Sequence, residues 1–169
     1  MIVLVGYATE HGSTREIAQR IGSGLRAAGV DAHVRSLTDV GDVRGYGAFV
    51  VGSAVHDRSW LDTGREFVRR DLARTRSRPV WLFSVGMPDA LRGPWRRLAA
   101  TEASAIEADL AAPFPVRGHR LFSGVVGPEH LSRAGRLVFR LMGGRYGDHR
   151  DEGAIDAWAA SIAEELGHR

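Results

Sequence analysis

Hydroxyl groups and a glycine crowd one short stretch of the chain, Thr9-Glu10-His11-Gly12-Ser13-Thr14, directly after an apolar run. Residues of these types bind phosphate when they open a helix. The first helical turn has N–H groups without intrahelical partners and carries the positive end of the dipole, so it attracts an anion. Gly12 lets the backbone come close to that anion, and Thr9, Ser13 and Thr14 add hydroxyl donors. The same stretch also serves as a plain helix cap, with Ser13 or Thr14 at the N-cap. Glu10 puts an acid in the loop and must face solvent if phosphate is to bind.

The elements around this stretch alternate between strand and helix patterns. Met1–Val5 is continuously apolar, as a strand buried on both faces requires. Ile17, Ile21, Leu25 and Ala28 recur at helical spacing, and Gly29 ends that helix. Asp31–Ser36, Gly45–Gly52, Pro79–Val85 and His119–Val126 read as four more strands. Leu61–Leu72 reads as a helix. Pro94 opens another that runs to about Leu110, where Pro113 and Pro115 break the chain. Glu129–Met142 and Ala154–Leu166 read as two further helices. This alternation predicts an α/β domain over residues 1–169, with a doubly wound five-stranded parallel sheet and helices on both faces. Ligands of such sheets sit at the carboxyl ends of the strands. The loops to examine therefore follow the first, third and fourth strands: Thr9–Thr14, Ser53–Trp60 and Ser84–Asp89.

The order of elements and these three loops resemble a flavodoxin-like FMN domain over essentially the whole chain. Thr9-x-x-Gly12-x-Thr14 is similar to the flavodoxin phosphate loop. The resemblance implies FMN as cofactor, with Thr9, Glu10, His11, Gly12, Ser13 and Thr14 around its phosphate. It also implies that the second and third loops flank the flavin ring through Ser53, Ala54, Val55 and His56, and through Ser84, Val85, Gly86 and Asp89. The aromatic residue that often stacks on the flavin from the second loop has two candidates, His56 and Trp60. Trp60 equally suits a place under the following helix. The third loop, with Met87-Pro88-Asp89, matches poorly in its side chains, but its backbone amides can still meet the flavin.

Within that superfamily the chain is similar to the menaquinone-dependent protoporphyrinogen oxidase branch of bacterial long-chain flavodoxin-like proteins. Thr14-Arg15-Glu16-Ile17-Ala18, Gly52-Ser53-Ala54-Val55, Glu66-Phe67-Val68 and the tail from Leu137 through Met142-Gly143-Gly144 to Asp156-Ala157-Trp158 carry the likeness. Arg136–Gly144 corresponds to the helical insertion which that branch places after the fifth strand, here about 127–150. The resemblance implies a quinone-linked oxidoreductase of heme biosynthesis, with a porphyrinogen as anionic substrate. No side chain stands out as a catalytic acid or base. A non-enzymatic flavodoxin that shuttles electrons is the alternative, but such carriers are usually acidic.

Composition narrows the chemistry further. The 169 residues include no cysteine, and all 23 basic residues are arginine. Thiolate catalysis, zinc–sulfur sites, lysine Schiff bases and the lysine of a triphosphate P-loop are excluded. The seven histidines lack metal-ligand spacing, so no metal is expected and solvent-exposed roles are. Gly22-Ser23-Gly24 lies within a helix and is no dinucleotide loop. A phosphoacceptor receiver domain needs acids after the first strand and a lysine on the fifth, which this chain lacks. A net charge of +3 and a pI near 10.1 favour anionic partners, among which no nucleic acid is assigned. No signal peptide or spanning segment is legible, so a cytoplasmic protein is expected, with peripheral attachment to the inner face of the membrane.

That attachment rests on the Glu129–Met142 helix. At about 100° per residue, Leu131, Ala134, Leu137, Val138, Leu141 and Met142 share a broad face, with Phe139 at its flank and Arg133, Arg136 and Arg140 opposite. An ordinary helix packed on the sheet has this pattern, and so does an interfacial helix resting on anionic lipid. Arg145 and Arg150 extend the basic stretch, and Arg92, Arg96 and Arg97 add to it.

Overall fold

A computed structural model describes residues 1–75, 78–95, 97, 102–110, 112 and 114–167 of the chain. The five expected parallel strands are β1 (Ile2–Ala8), β2 (Asp31–Ser36), β3 (Ala48–His56), β5 (Val80–Gly86) and β6 (Gly118–Ser123), in the order β2-β1-β3-β5-β6. Strands β1, β3 and β5 run past their apolar stretches because parallel pairing continues beyond them. Ala8 aligns with Ser53, Ser53 with Ser84, and Gly86 with Ser123. The polar ends of the strands are therefore held in the sheet, at the edge where a ligand binds.

Alternating side chains divide the core into two layers. Val3, Val5, Val50 and Phe83 face α1 (Ser13–Ala27) and α5 (Glu152–Gly167), meeting Ile17, Ile21, Ile155 and Trp158. Leu4, Phe49, Val51 and Leu82 face the other way, toward Phe67 and Val68 of α2 (Asp62–Arg70) and Ile106 and Leu110 of α3 (Glu102–Leu110). Burying one such side chain contributes about 1.5–3 kcal/mol. The part of the Pro94–Leu110 helix at 96 and 98–101 lies outside the described residues.

Two expectations change. Ser53–Trp60 is not an open loop: β3 continues to His56 and turns into a short antiparallel strand β4 (Ser59–Trp60). Asp57 and Arg58, at the turn, have φ of 47° and 63°. Two positive φ values are what a tight hairpin turn needs to match strand twist. The expected fifth strand, His119–Val126, also ends early. Val125–Val126 forms β7, which leaves the main sheet and pairs with β8 (Gly147–Asp148). This small hairpin frames the insertion, which carries α4 (Arg133–Leu141) and a core of its own where Phe139 meets Ala90, Leu91 and Val126.

Candidate flavin site

The carboxyl ends of β1, β3 and β5 open onto a cavity of about 400 Å3. Five segments wall it: Thr9, Glu10, His11, Ser13 and Thr14 after β1; Ala54, Val55, His56 and Asp57 at the end of β3 and its turn; Val85, Gly86 and Met87 at the end of β5; Gly124, Val125 and Val126; and His130, Leu131, Ser132 and Gly135 of the insertion. The volume lies in the range of small-molecule and cofactor sites.

The loop after β1 has the geometry that suits an anion. Gly12 has φ +97° and caps α1 without any side-chain cap. Its own N–H donates to the Thr9 hydroxyl at 3.0 Å, which pins the loop. The N–H groups of Ser13, Thr14 and Arg15 then have no residue four positions back that a helix could supply. A Cβ on Gly12 would meet nothing within 4 Å, so the loop is open on that side. Thr14 is buried at the floor of the cavity. Ser13 also ties the loop to the insertion, its hydroxyl accepting from Val125 N–H at 3.2 Å. At the same junction a Cβ on Gly124 would lie 3.2 Å from Ser13 and 3.0 Å from Val85, so glycine lets the segments approach without displacing either side chain. Glu10 is turned outward as required, about half exposed, with its carboxylate 3.9 Å from His11 and 3.8 Å from His56.

The second and third loops contribute differently from the sequence expectation. Ser53 is fully buried and bridges its own strand to α2, donating to Ala54 C=O and accepting from Leu61 N–H. Trp60 is a correction. It is 3% exposed, so it is neither a surface contact nor a flavin-stacking ring. Its indole N–H donates to Ser84 Oγ at 2.7 Å. Ser84 in turn lies 2.8 Å from His119 Nε2, and His119 Nδ1 lies 2.9 Å from Glu107. This network ties β4, β5, β6 and α3 together beneath the cavity. It also corrects Ser84, which is not in the cavity wall, and His119, whose side chain is 1% exposed rather than solvated. The register explains the outcome: alternate residues of a strand face opposite sides, so Val85 reaches the cavity while Ser84 cannot.

Asp89 is a further correction. Its carboxylate accepts from Ser123 Oγ at 2.6 Å and its N–H donates to the same oxygen, which turns it into a neighbouring cleft that also holds Arg92. His56, 66% exposed, is left as the aromatic group of the second loop at the cavity mouth.

The insertion supplies the wall that sequence patterning did not anticipate. His130 stacks on His11 with ring centres 4.2 Å apart, and its Nδ1 accepts from Gly127 N–H. Ser132 caps α4 by accepting from Gly135 N–H. A histidine three residues after a glycine and a serine before a helical run were visible signals, but nothing in the chain order showed that they fold back over the first loop. Helix α4 is oriented opposite to a packed helix. Phe139 points inward, while Leu137, Val138 and Leu141 are 62%, 54% and 77% exposed. Arg136 is not a free surface cation, since its guanidinium donates to Pro128 and Leu131 carbonyls. Arg150 is likewise engaged, with Asp148 and with Glu16 of α1. That guanidinium holds the Asp148 carboxyl down at about 2. Arg133 and Arg140 remain on the surface, and Arg96 lies outside the described residues.

The flavodoxin domain model matches residues 4–148, and the chain belongs to the flavodoxin family. Across 99% of its length the chain is 25% identical to the quinone-type protoporphyrinogen IX dehydrogenase of Escherichia coli K12, covering 96% of that protein. An archaeal flavodoxin superposes with a TM-score of 0.62 at 18% identity, over 99% of this chain and 100% of that one. Flavodoxin 1 of Bacillus cereus does so with 0.58 at 12% identity, over 97% and 98%. FMN is the cofactor this family membership implies. The cavity fits it: an uncapped helix N-terminus with an open positive-φ glycine suits the phosphate, and Ala54, Val55, Val85, Met87 and Leu131 offer apolar walls to a ring.

Proposed function

We propose that the protein is an FMN-dependent oxidoreductase. It draws electrons from a reduced anionic small molecule of the porphyrinogen class and delivers them to a membrane quinone. Bound FMN supplies the redox chemistry, and the chain supplies position, exclusion of water and docking. The N–H groups of Ser13, Thr14 and Arg15 hold the phosphate. The backbones of 54–57 and 85–87 bound the ring, and His130, Leu131 and Ser132 limit access of water to it.

The observation that carries this reading is the double role of the insertion. One end of it walls the cavity, and its helix α4 exposes Leu137, Val138 and Leu141; Arg133 and Arg140, exposed as well, are the i−4 and i+3 neighbours of Leu137 and so flank that face rather than oppose it. An apolar face beside cations suits an anionic lipid surface, where each arginine is worth about 1 kcal/mol. A lipid-borne acceptor is concentrated at that surface. The name of the E. coli relative supports the same donor and acceptor.

The test uses the FMN-loaded protein, reduced by light without oxygen and mixed with anionic vesicles containing menaquinone. Flavin absorbance should return quickly for the parent. With Leu137→Ser and Leu141→Ser together, vesicle binding should disappear and the return slow at least tenfold, while a water-soluble dye is reduced as before. If the parent ignores anionic vesicles at low salt and does not oxidise protoporphyrinogen with menaquinone, the reading fails. An electron carrier of the same fold then describes the protein better.

A further inference from the structure

Beside the flavin cavity lies a second cleft, of about 720 Å3, lined by Asp89, Leu91, Arg92, Pro94, Arg97 and Arg145. It forms where the insertion folds against the segment after β5. Arg145 N–H donates to Ala90 C=O at 2.9 Å. A Cβ on Gly143 would stand 3.3 Å from that of Arg92. Two parts of the chain far apart in sequence thus bring three guanidinium groups into one cleft.

These three arginines are not taken up by ion pairs within the protein, as several others are. Arg20, Arg44, Arg65, Arg70, Arg117 and Arg150 each pair with a carboxylate. The side chains of Arg92, Arg97 and Arg145 make no ion pair or hydrogen bond with any described residue. The one carboxylate among the described residues that line the cleft, Asp89, is fixed by Ser123. Three cations against one tethered anion leave the cleft positive, and guanidinium forks match carboxylates in pairs. The floor is not wholly polar. Leu91 and Pro94 line it, and Trp95, next along the chain, is 43% exposed. Inorganic phosphate would use neither the apolar surface nor the volume. An organic body bearing two or more carboxylates uses both.

We propose that this cleft seats the carboxylates of the electron donor, a molecule with an apolar body and at least two acid groups. Met87 lines the flavin cavity and Asp89 lines the cleft. A donor anchored here by its acids therefore lies beside the redox centre. The inference rests on reading the first cavity as that centre.

The probe is protoporphyrin IX, a dicarboxylate that cannot deliver electrons, followed by its fluorescence anisotropy against the FMN-loaded protein. The diacid should bind at least tenfold more tightly than its dimethyl ester. Each hydrogen-bonded charge pair is worth about ten- to a hundredfold in affinity, so Arg92→Gln and Arg145→Gln should each weaken the diacid by about that factor. FMN affinity should stay unchanged in both variants, which also shows that they fold. Equal binding of diacid and ester overturns the proposal, as does unchanged binding by both variants. Displacement of the diacid by inorganic phosphate below millimolar concentration overturns it in favour of a simple phosphate site. Tight, arginine-dependent binding in a protein that oxidises no protoporphyrinogen supports the cleft and removes the donor reaction proposed above.

Discussion

Replacing Gly12 by valine isolates what the first loop does. The residue sits at φ +97° with open space around it, so the obstacle to a side chain is the backbone rather than a neighbour. Holding a β-branched residue there costs about 1–3 kcal/mol, and the loop escapes that cost by moving to a negative φ. Such a move withdraws the Gly12 N–H from Thr9 and tilts the N–H groups of Ser13 and Thr14 away from a shared point. Hydrogen bonds to a charged group are worth about 1.5–3 kcal/mol each, so losing two of three costs phosphate binding about 3–6 kcal/mol. Riboflavin provides the control, since it lacks the phosphate. In the parent, FMN should bind at least a hundredfold more tightly than riboflavin, read from quenching of flavin fluorescence. In Gly12→Val that preference should fall to within about tenfold, with riboflavin affinity nearly unchanged. The buried face of α1 keeps the far-UV circular dichroism of the parent. A variant that keeps the full preference for FMN over riboflavin would place the phosphate elsewhere and refute the argument.

Three other predictions concern the frame around the site. Arg58 has φ 63° in a two-residue turn, so Arg58→Gly should stabilise the fold by about 0.5–1 kcal/mol, measured by urea unfolding. Asp148 is held at about 2 by hydrogen bonds from Arg150, below its ordinary 3.8. A depressed carboxylate contributes stability that is fully present above pH 4 and is lost as pH falls through about 2. Because Asp148 is about half exposed, that contribution is about 1 kcal/mol after screening. The parent should lead Asp148→Asn by that amount at pH 5, with the lead shrinking as pH approaches 2. Trp60→Phe removes a buried indole donor from Ser84 and should cost about 1–2 kcal/mol, while flavin fluorescence in the holoprotein stays as quenched as before. A large recovery of fluorescence would return Trp60 to the flavin.

The sheet was legible because its three central strands, β1, β3 and β5, are apolar on both faces and its helices carry one apolar stripe, patterns that sequence displays directly. The phosphate loop was legible because its chemistry is local: hydroxyls, a glycine and a helix start within six residues. What stayed hidden is non-local. Ser53, Ser84 and Asp89 belong to the right loops, yet one residue of register decides whether a side chain faces the cavity or the core. His119 gave no sign of burial, because its partners Ser84 and Glu107 lie on separate elements. The hairpin at Asp57-Arg58 was hidden for another reason: Asp57 suits its place in such a turn, but Arg58 stands where glycine is favoured. The helical pattern of α4 showed an amphipathic face, but periodicity does not say which face looks outward. Phe139 decides it by filling the small core against Ala90, Leu91 and Val126.

The placement of charge leads to a last prediction that separates the two binding regions. Among the described residues no arginine lines the flavin cavity, and its only carboxylates there are Glu10 and Asp57, both at its exposed mouth. On the proposed reading phosphate is held by backbone N–H groups, the α1 dipole and neutral hydroxyls, at short range and partly shielded from solvent. Such contacts are screened little by salt, whereas exposed charges further apart than about 8–10 Å are screened strongly at physiological ionic strength. Exposed cations lie outside its walls, among them Arg92, Arg97 and Arg145 in the second cleft and Arg133 and Arg140 on α4. Raising sodium chloride from 50 to 500 mM (about a threefold drop in screening length) should change FMN affinity by less than about threefold. Over the same range, binding of a porphyrin diacid and of anionic vesicles should each weaken by tenfold or more. Parallel loss of all three would mean that a guanidinium holds the phosphate after all, and that the division of labour between dipole and arginine is wrong. Separate responses would show that this chain binds its cofactor through the backbone and its diffusing partners through side-chain charge.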